Sequence, residues 1–298
     1  MSNEVVKIVS PRPEVAGKIK LYKYVTVNGL AGLVDNGAFK VTYRGACNDP
    51  QELTPAGDVL EKSIYDYYGF LSFSKDGNNS SMWGNYAEHY KGACIELEFE
   101  YFNADRISEA NKEEIQLLQY ALRLSHKGFN VRFFNAFYDG NQYIPSGVSR
   151  LLIECLYRKN RRRVEWPQGA ETMHEAKRQA EEFAWSIMCT KDICWKHEKE
   201  VRMPIYRGRD IINHTKQLEK DTVELTRVPT RYIKRIILGP LSEMNESELQ
   251  TKIDIKRKII DNADLYIPQD VIVVKAQFSK YLYELNYTGR DENELDFN

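Results

Sequence analysis

Alternation of apolar and polar residues marks strands on both flanks of the chain. Residues 20–27 (KLYKYVTV), 38–43, 68–74 (YGFLSFS) and 92–99 (GACIELEF) are rich in aromatic and β-branched side chains, and each predicts a strand. In the last of these, Ala93, Ile95 and Leu97 alternate against Cys94, Glu96 and Glu98, so one face is apolar and the other polar. Towards the C-terminus, residues 223–228, 232–238, 271–275 and 281–287 read the same way. A helical period takes over in between. It predicts helices over 109–126, with Ile115, Leu118 and Leu122 on one face, and over 148–157 and 169–188, around an aromatic strand at 129–138. Shorter helices are expected at 58–67 and 80–90. A longer one spans 242–260, with Ser242 as its cap and Glu243 and Glu246 in its opening turn.

This order predicts an α+β fold: a single domain over residues 20–288 with a mainly helical insertion at about 105–190. Residues 1–19, broken by Pro11 and Pro13, form a loose lead-in, and 289–298 form an acidic tail.

The densest chemistry lies in Trp195-Lys196-His197-Glu198-Lys199-Glu200-Val201-Arg202, running on to Tyr206. Read as one strand, it puts Lys199, Val201, Met203 and Ile205 on one face and Glu198, Glu200, Arg202 and Tyr206 on the other. Two carboxylates and a guanidinium would then stand in a row. Such a row is either a solvated strand face or a site that stabilises positive charge.

Composition narrows the classes without choosing among them. The 298 residues are 42% hydrophobic and 29% charged, an ordinary globular balance, and the net charge of -1 gives no overall pull towards nucleic acid or an anionic membrane. No apolar run approaches the roughly 20 residues of a membrane span, and the N-terminus lacks a signal pattern. The five cysteines form no C-x-x-C pair and the five histidines no H-x-x-x-H pair. Together these features predict a cytoplasmic protein without a structural metal or a disulfide framework.

Four groups of residues resemble a bacterial family of unknown-function domains linked to phage defence and abortive infection. They are Leu21-Tyr22-Lys23-Tyr24; Asn48-Asp49-Pro50; Phe73-Ser74 followed by Met82-Trp83-Gly84-Asn85-Tyr86-Ala87 and Lys91-Gly92-Ala93-Cys94-Ile95; and Trp195-x-His197-Glu198-x-Glu200-x-Arg202. Ile236-Ile237-Leu238-Gly239 fits as well, and the resemblance runs over about residues 20–287. The segment 42–47 departs from the pattern, as does Val201, where a tryptophan is more usual.

A second resemblance is to the ADP-ribosyltransferases, which carry an early polar strand, a middle Ser or Tyr element and a late strand with a glutamate. It implies a split, mixed or antiparallel β core that holds NAD as substrate. It implies Glu200 as the carboxylate that steadies an oxocarbenium-like transition state, with Glu198 steering the acceptor. Tyr22 and Lys23 would lie near the NAD phosphates or ribose, with Ser74, His197 and Arg202 close by. Tyr86 and Trp83 would stack on nicotinamide. Lys23 stands where many members have Arg or His.

Each residue also has a plainer reading. Lys23 is a solvated strand residue, Trp83 and Tyr86 share a helix face as core packing, His197 is a hydrogen-bond partner, and Arg202 pairs with Glu200 or Glu198. The basic run Arg158, Lys159, Arg161, Arg162, Arg163 is either a helix end complementing the dipole or a grip on a nucleic-acid backbone.

The sequence therefore supports three readings. The first is an ADP-ribosyltransferase-like toxin of a defence system, acting on RNA, DNA or protein and restrained by an antitoxin or chaperone. The second is a non-catalytic sensor or binding module. The third is a Mg²⁺-dependent nuclease using Asp49, Glu198 and Glu200.

Overall fold

Strand β1 (Gly17–Val25) ends where the Thr26 side chain accepts from Gly29 N and caps helix α1 (Val27–Asn36). Gly37, at φ 61°, closes that helix in the left-handed conformation that glycine adopts without strain. The structure, a computed structural model, describes residues 17–43, 47, 49, 52, 68–102, 124–134, 151–160, 184–206, 225–227, 232–259, 266–279 and 285–286.

After α1 come β2 (Ala38–Lys40), β3 (Tyr68–Ser74), the short helix α2 (Ser80–Tyr86) and the long strand β4 (Ala93–Phe102). Strands β5 (Val131–Phe134), β6 (Leu151–Glu154), β7 (Leu156–Arg158) and β8 (Thr190–Asp192) precede a 3-10 turn at Ile193–Glu198 and strand β9 (Glu200–Tyr206). The chain then forms β10 (Leu225–Arg227), β11 (Ile233–Leu238), helix α3 (Glu246–Ile259), β12 (Ile272–Lys275), β13 (Gln277–Phe278) and β14 (Leu285–Asn286).

The architecture is mixed α/β, with a mostly antiparallel sheet and few helices among the described residues. The main sheet runs β1-β3-β9-β6-β5-β4-β11-β12, and only β11–β12 is parallel within it. Strand β1 also pairs with β4 along its whole length, so the ladder returns to its starting strand. One face of this sheet is the main core. Leu21, Leu71, Phe73, Ile95, Leu97, Val201 and Met203 pack there against Leu30 and Leu33 of α1 and Leu249 and Ile253 of α3. The opposite face carries two smaller clusters, one around Phe70, Leu151, Ile153 and Trp185, the other around Tyr24, Trp83, Cys94 and Ile237.

Several expectations change. Residues 148–157 were expected to be helical, but 151–158 form β6 and β7. Three successive apolar residues are buried on both faces of β6: Leu152 faces the main core, and Leu151 and Ile153 the smaller cluster. A run apolar on both faces carries no period that separates strand from helix. The strand at 131–134 lies within the aromatic strand expected at 129–138, while most of the expected helical insertion lies outside the described residues, as do the helix expected at 58–67 and the tail. The strand at 17 begins before the lead-in expected over 1–19 ends. Helix α3 starts later than expected. Its cap is Asn245 rather than Ser242: Asn245 Oδ1 accepts from Glu248 N at 2.9 Å, and Glu248 Oε2 accepts from Asn245 N at 3.1 Å, a reciprocal capping box.

The largest correction concerns the segment from Trp195 to Glu200. It is not one strand. Asp192 accepts from Cys194 N at 2.9 Å and starts the 3-10 turn, and Lys199, at φ 48°, reverses the chain before β9 begins. From Glu200 onward the expected alternation holds, with Val201, Met203 and Ile205 in the core and Glu200 and Arg202 on the other face.

Candidate functional site

Cross-strand partners share a face of the sheet. Arg235 on β11 stands opposite Glu96 on β4, Glu96 opposite Tyr22 on β1, Tyr22 opposite Ser74 on β3, and Ser74 opposite Glu200 on β9. Five polar residues from five neighbouring strands thus form one row on the face away from the main core. The row ends in a buried charge cluster.

Glu200 is the centre of that cluster. Its Oε1 accepts from Ser72 Oγ at 2.5 Å and Arg202 Nε at 2.7 Å, and its Oε2 from Lys191 Nζ and Arg202 Nη2, both at 2.9 Å. A carboxylate has about four acceptor positions, and here four donors fill them. Burial alone would raise the Glu200 pKa. The Arg202 guanidinium and Lys191 ammonium, with Ser72, outweigh burial and hold the carboxyl well below its usual range. Arg202 also donates to Met188 O and Glu52 Oε1 and lies 4.0 Å from the centre of the Phe70 ring.

Lys191 joins the second carboxylate to the first. Its Nζ is 2.5 Å from Glu198 Oε2, and the Tyr86 hydroxyl donates to Glu198 Oε1 at 2.7 Å. Glu198 therefore keeps acceptor positions that Glu200 has used. Burial pushes the Lys191 pKa down, but Glu200, Glu52 and Glu198 around it bring it above its ordinary value. Three carboxylates (Glu52, Glu198, Glu200) share the cations Lys191 and Arg202. The half-buried rings of Tyr86, Tyr157 and Trp195 adjoin this cluster. Tyr157 Oη accepts from Glu200 N at 2.7 Å, and Lys191 Nζ lies 5.3 Å from the Trp195 ring centre.

Local structure fixes these positions. Asn79 caps α2 through Ser81 N and Met82 N, and its Nδ2 donates to His197 O at 2.7 Å, tying α2 to the 3-10 turn. Ser74 Oγ donates to Glu198 O at 2.7 Å. Tyr86 and Glu198, 112 residues apart, meet because of these two ties.

Of the expected site residues, Glu198, Glu200, Arg202, Tyr86 and Ser74 come together, with Tyr22 in the same row. Two do not fit their expected roles. Lys23 lies on the other face, opposite Ile95 of the main core, because it alternates with Tyr22; burial there lowers its pKa to about 8. Trp83 is fully buried: its Nε1 donates to Gly77 O, Tyr24 meets it edge-on at 5.4 Å and Tyr90 stacks on it at 6.2 Å. No face of that ring is open to a ligand. His197 is exposed, with Nδ1 3.0 Å from Cys194 O and Nε2 3.3 Å from Ser81 Oγ. Arg158 and Lys159 are exposed at the end of a strand rather than a helix, while Arg161, Arg162 and Arg163 lie outside the described residues.

Sequence reasoning missed Lys191, Ser72, Glu52 and Tyr157. Ser72 was within reach, because it alternates with Ser74 on one strand. Lys191 carries no such signal: TKDIC has neither a period nor a motif.

The family described as a protein of unknown function (DUF2971) matches residues 82–203. That stretch is similar to the family from α2 through the first residues of β9, so it includes Tyr86, Lys191, Glu198, Glu200 and Arg202 and leaves out Tyr22, Glu52, Ser72 and Ser74. No curated protein and no solved structure matches the chain. Among the described residues, no group of three or more His, Cys, Asp and Glu residues is arranged to hold a metal ion, and no helix is long and apolar enough to cross a membrane.

Proposed function

We propose that the protein is an NAD-consuming, ADP-ribosyltransferase-like effector whose reactive carboxylate is Glu198 rather than the Glu200 that the resemblance implies, because four donors already fill Glu200. The observation that carries this reading is the Glu198 carboxylate, whose acceptor positions are only partly filled and which lies against the half-buried Tyr86. NAD would supply a glycosidic bond that breaks with its electron pair leaving on nicotinamide and positive charge growing on the ribose. A carboxylate excluded from water lowers the energy of that charge. Glu198 would accept from a ribose hydroxyl and take the proton released by the acceptor's nucleophile. Tyr86 would orient Glu198, and Glu200 would anchor Lys191 and Arg202. Tyr22 and Ser74, in row with Glu200, supply the early and middle strand positions that the resemblance requires. Lys23 and Trp83 have no part in it. The family resemblance adds the setting, a toxin of a phage-defence system acting on nucleic acid or protein.

Purified protein is expected to release nicotinamide from NAD or to label extracts of infected cells with ADP-ribose, and Glu198→Gln to abolish either activity while the fold persists. Failure of the wild-type protein in both assays overturns the reading.

The saturation of Glu200 favours one rival, a non-catalytic binding module in which the cluster is a structural ion network. That reading expects Glu198→Gln to leave protection against phage intact. A Mg²⁺ nuclease gains nothing here, since the Lys191 ammonium lies between the two glutamates that would have to hold the cation.

A further inference from the structure

Ser81 and His197 face one another beside the proposed site and have no part in the chemistry given to it. The two elements that bring Tyr86 to Glu198 also bring this pair together: Ser81 lies on α2, and His197 directly precedes Glu198 in the 3-10 turn. Ser81 Oγ is 3.3 Å from His197 Nε2, and both residues are exposed.

The other ring nitrogen fixes the direction of this hydrogen bond. His197 Nδ1 is 3.0 Å from Cys194 O. A carbonyl oxygen only accepts, so Nδ1 carries the proton, and in the neutral imidazole Nε2 is then a bare acceptor. The Ser81 hydroxyl therefore donates to Nε2. Asn85, one helical turn on, donates from Nδ2 to Ser81 Oγ at 3.3 Å, a second contact suited to negative charge growing on that oxygen. Asn79 holds both sides of the pair: its Oδ1 accepts from Ser81 N at 3.0 Å and its Nδ2 donates to His197 O.

The other two serines near the cluster lack this arrangement. Ser72 donates to Glu200, a carboxylate that Arg202 and Lys191 hold ionised, and the buried Ser74 donates to a backbone carbonyl. Neither partner takes up a proton readily. A hydroxyl that donates to an imidazole, with the second ring nitrogen oriented by an acceptor, is the arrangement of an activated nucleophile. Its neighbourhood points to the electrophile. Five residues of α2, about 7.5 Å along the axis, separate Ser81 from Tyr86, and His197 and Glu198 are consecutive. The dyad and the proposed reactive carboxylate thus belong to one contact between α2 and the turn.

We propose that Ser81 is a self-modification site: with His197 as its base, it accepts ADP-ribose from NAD held at Glu198. This inference rests on the function proposed above. The bond between the anomeric carbon and nicotinamide breaks, with its electron pair leaving on nicotinamide. Ser81 Oγ bonds to that carbon, and the hydroxyl proton passes to His197 Nε2, which releases it to water. NAD is the sole co-reactant.

The test incubates purified wild type, Ser81→Ala and His197→Gln with NAD labelled on its adenylate, following protein-bound label and nicotinamide release in parallel and mapping the label by mass spectrometry. Wild type is expected to carry label on Ser81, Ser81→Ala to lose it, and His197→Gln to acquire it about a hundredfold more slowly or less still. The rate constant in wild type is expected to be independent of protein concentration, since donor and acceptor lie in one molecule. If either variant does not fold, the mapped position and the concentration dependence in wild type still decide. Nicotinamide release without label on Ser81 overturns self-modification and leaves the NAD reading standing, whereas neither release nor label overturns both. Label that reaches Ser81 equally fast in His197→Gln overturns the dyad. A rate that rises in proportion to protein concentration overturns transfer within one molecule.

Discussion

Lys191 Nζ meets Glu198 Oε2 at 2.5 Å, and the same ammonium lies 2.9 Å from Glu200 Oε2. Both glutamates are almost wholly buried, so one cation bridges two carboxylates that water scarcely reaches, with Arg202 as the second cation on Glu200. The arrangement explains why Glu198 and Glu200 converge although they do not lie on one strand. The 3-10 turn and the left-handed Lys199 carry Glu198 back over β8, where Lys191 waits.

Replacing Lys191 by Met is therefore expected to destabilise the protein by about 3–5 kcal/mol, because it leaves buried carboxylates without their shared partner. Adding Glu198→Gln to Lys191→Met is expected to recover part of the loss. Urea denaturation of the wild type, both single variants and the double variant gives the coupling. A double variant whose loss equals the sum of the single losses would show that the two residues do not act as a pair.

The two glutamates should differ in what their removal costs. Glu200 holds four donors, and Glu200→Gln is expected to lower the melting temperature sharply by stranding Arg202. Glu198→Gln keeps an amide oxygen for Tyr86 and is expected to be the milder change in stability while abolishing NAD cleavage. Melting temperatures and nicotinamide release measured on both variants check the separation. The opposite order of stabilities would reverse the roles given to the two residues.

The fold was legible in the sequence where one face of an element is apolar and the other polar. GACIELEF alternates cleanly, and β4 lies close to where that alternation puts it. Period fails where burial is two-sided, as at Leu151-Leu152-Ile153, or where a short polar capping residue overrides it, as Asp192 does before the 3-10 turn. Alternation also fixes only relative facing. It separates Tyr22 from Lys23, but only the pairing of β1 with β3 and β4 tells which of them joins Glu200. Arg235 was hidden for a related reason, since its facing depends on a bulge between Ile233 and Arg235 that no residue pattern in IKRIIL announces.

Two glycines let the segment after α2 pass close to the ends of β1 and β11 and should tolerate no side chain. A Cβ on Gly92 would lie 2.1 Å from Val25 O, and one on Gly239 would lie 1.9 Å from Tyr90 O, both backbone atoms. Gly239 N donates to Gly92 O at 2.8 Å, so the two segments touch directly. They brace the turn at Glu88, His89 and Tyr90, three successive non-glycine residues with φ between 51° and 68°. Gly92→Ala and Gly239→Ala are each expected to cost about 3 kcal/mol or more, whereas Gly84→Ala, with nothing within 4 Å, is expected to cost far less. Equal denaturation midpoints for the three variants would contradict the close approach.

Lys23 gives the pH dependence its sign. It stands on the core-facing side of β1, opposite Ile95 of β4, and burial lowers its pKa to about 8, against about 10.4 in an unfolded chain. Glu200 pulls the value up and Lys40 and Arg202 push it down, but burial dominates. Between these two values the unfolded chain binds more protons at this position than the folded one, so stability rises with pH there. Below pH 8 both states carry the charge, and the folded state bears the full penalty of holding it. Lys23→Met removes the titration and the penalty together. The variant is therefore expected to be more stable than wild type at pH 7, with the gap narrowing as pH climbs from 8 towards 10. Urea midpoints of both proteins across that range check it, and a gap that stays constant would mean that Lys23 titrates as an ordinary surface lysine.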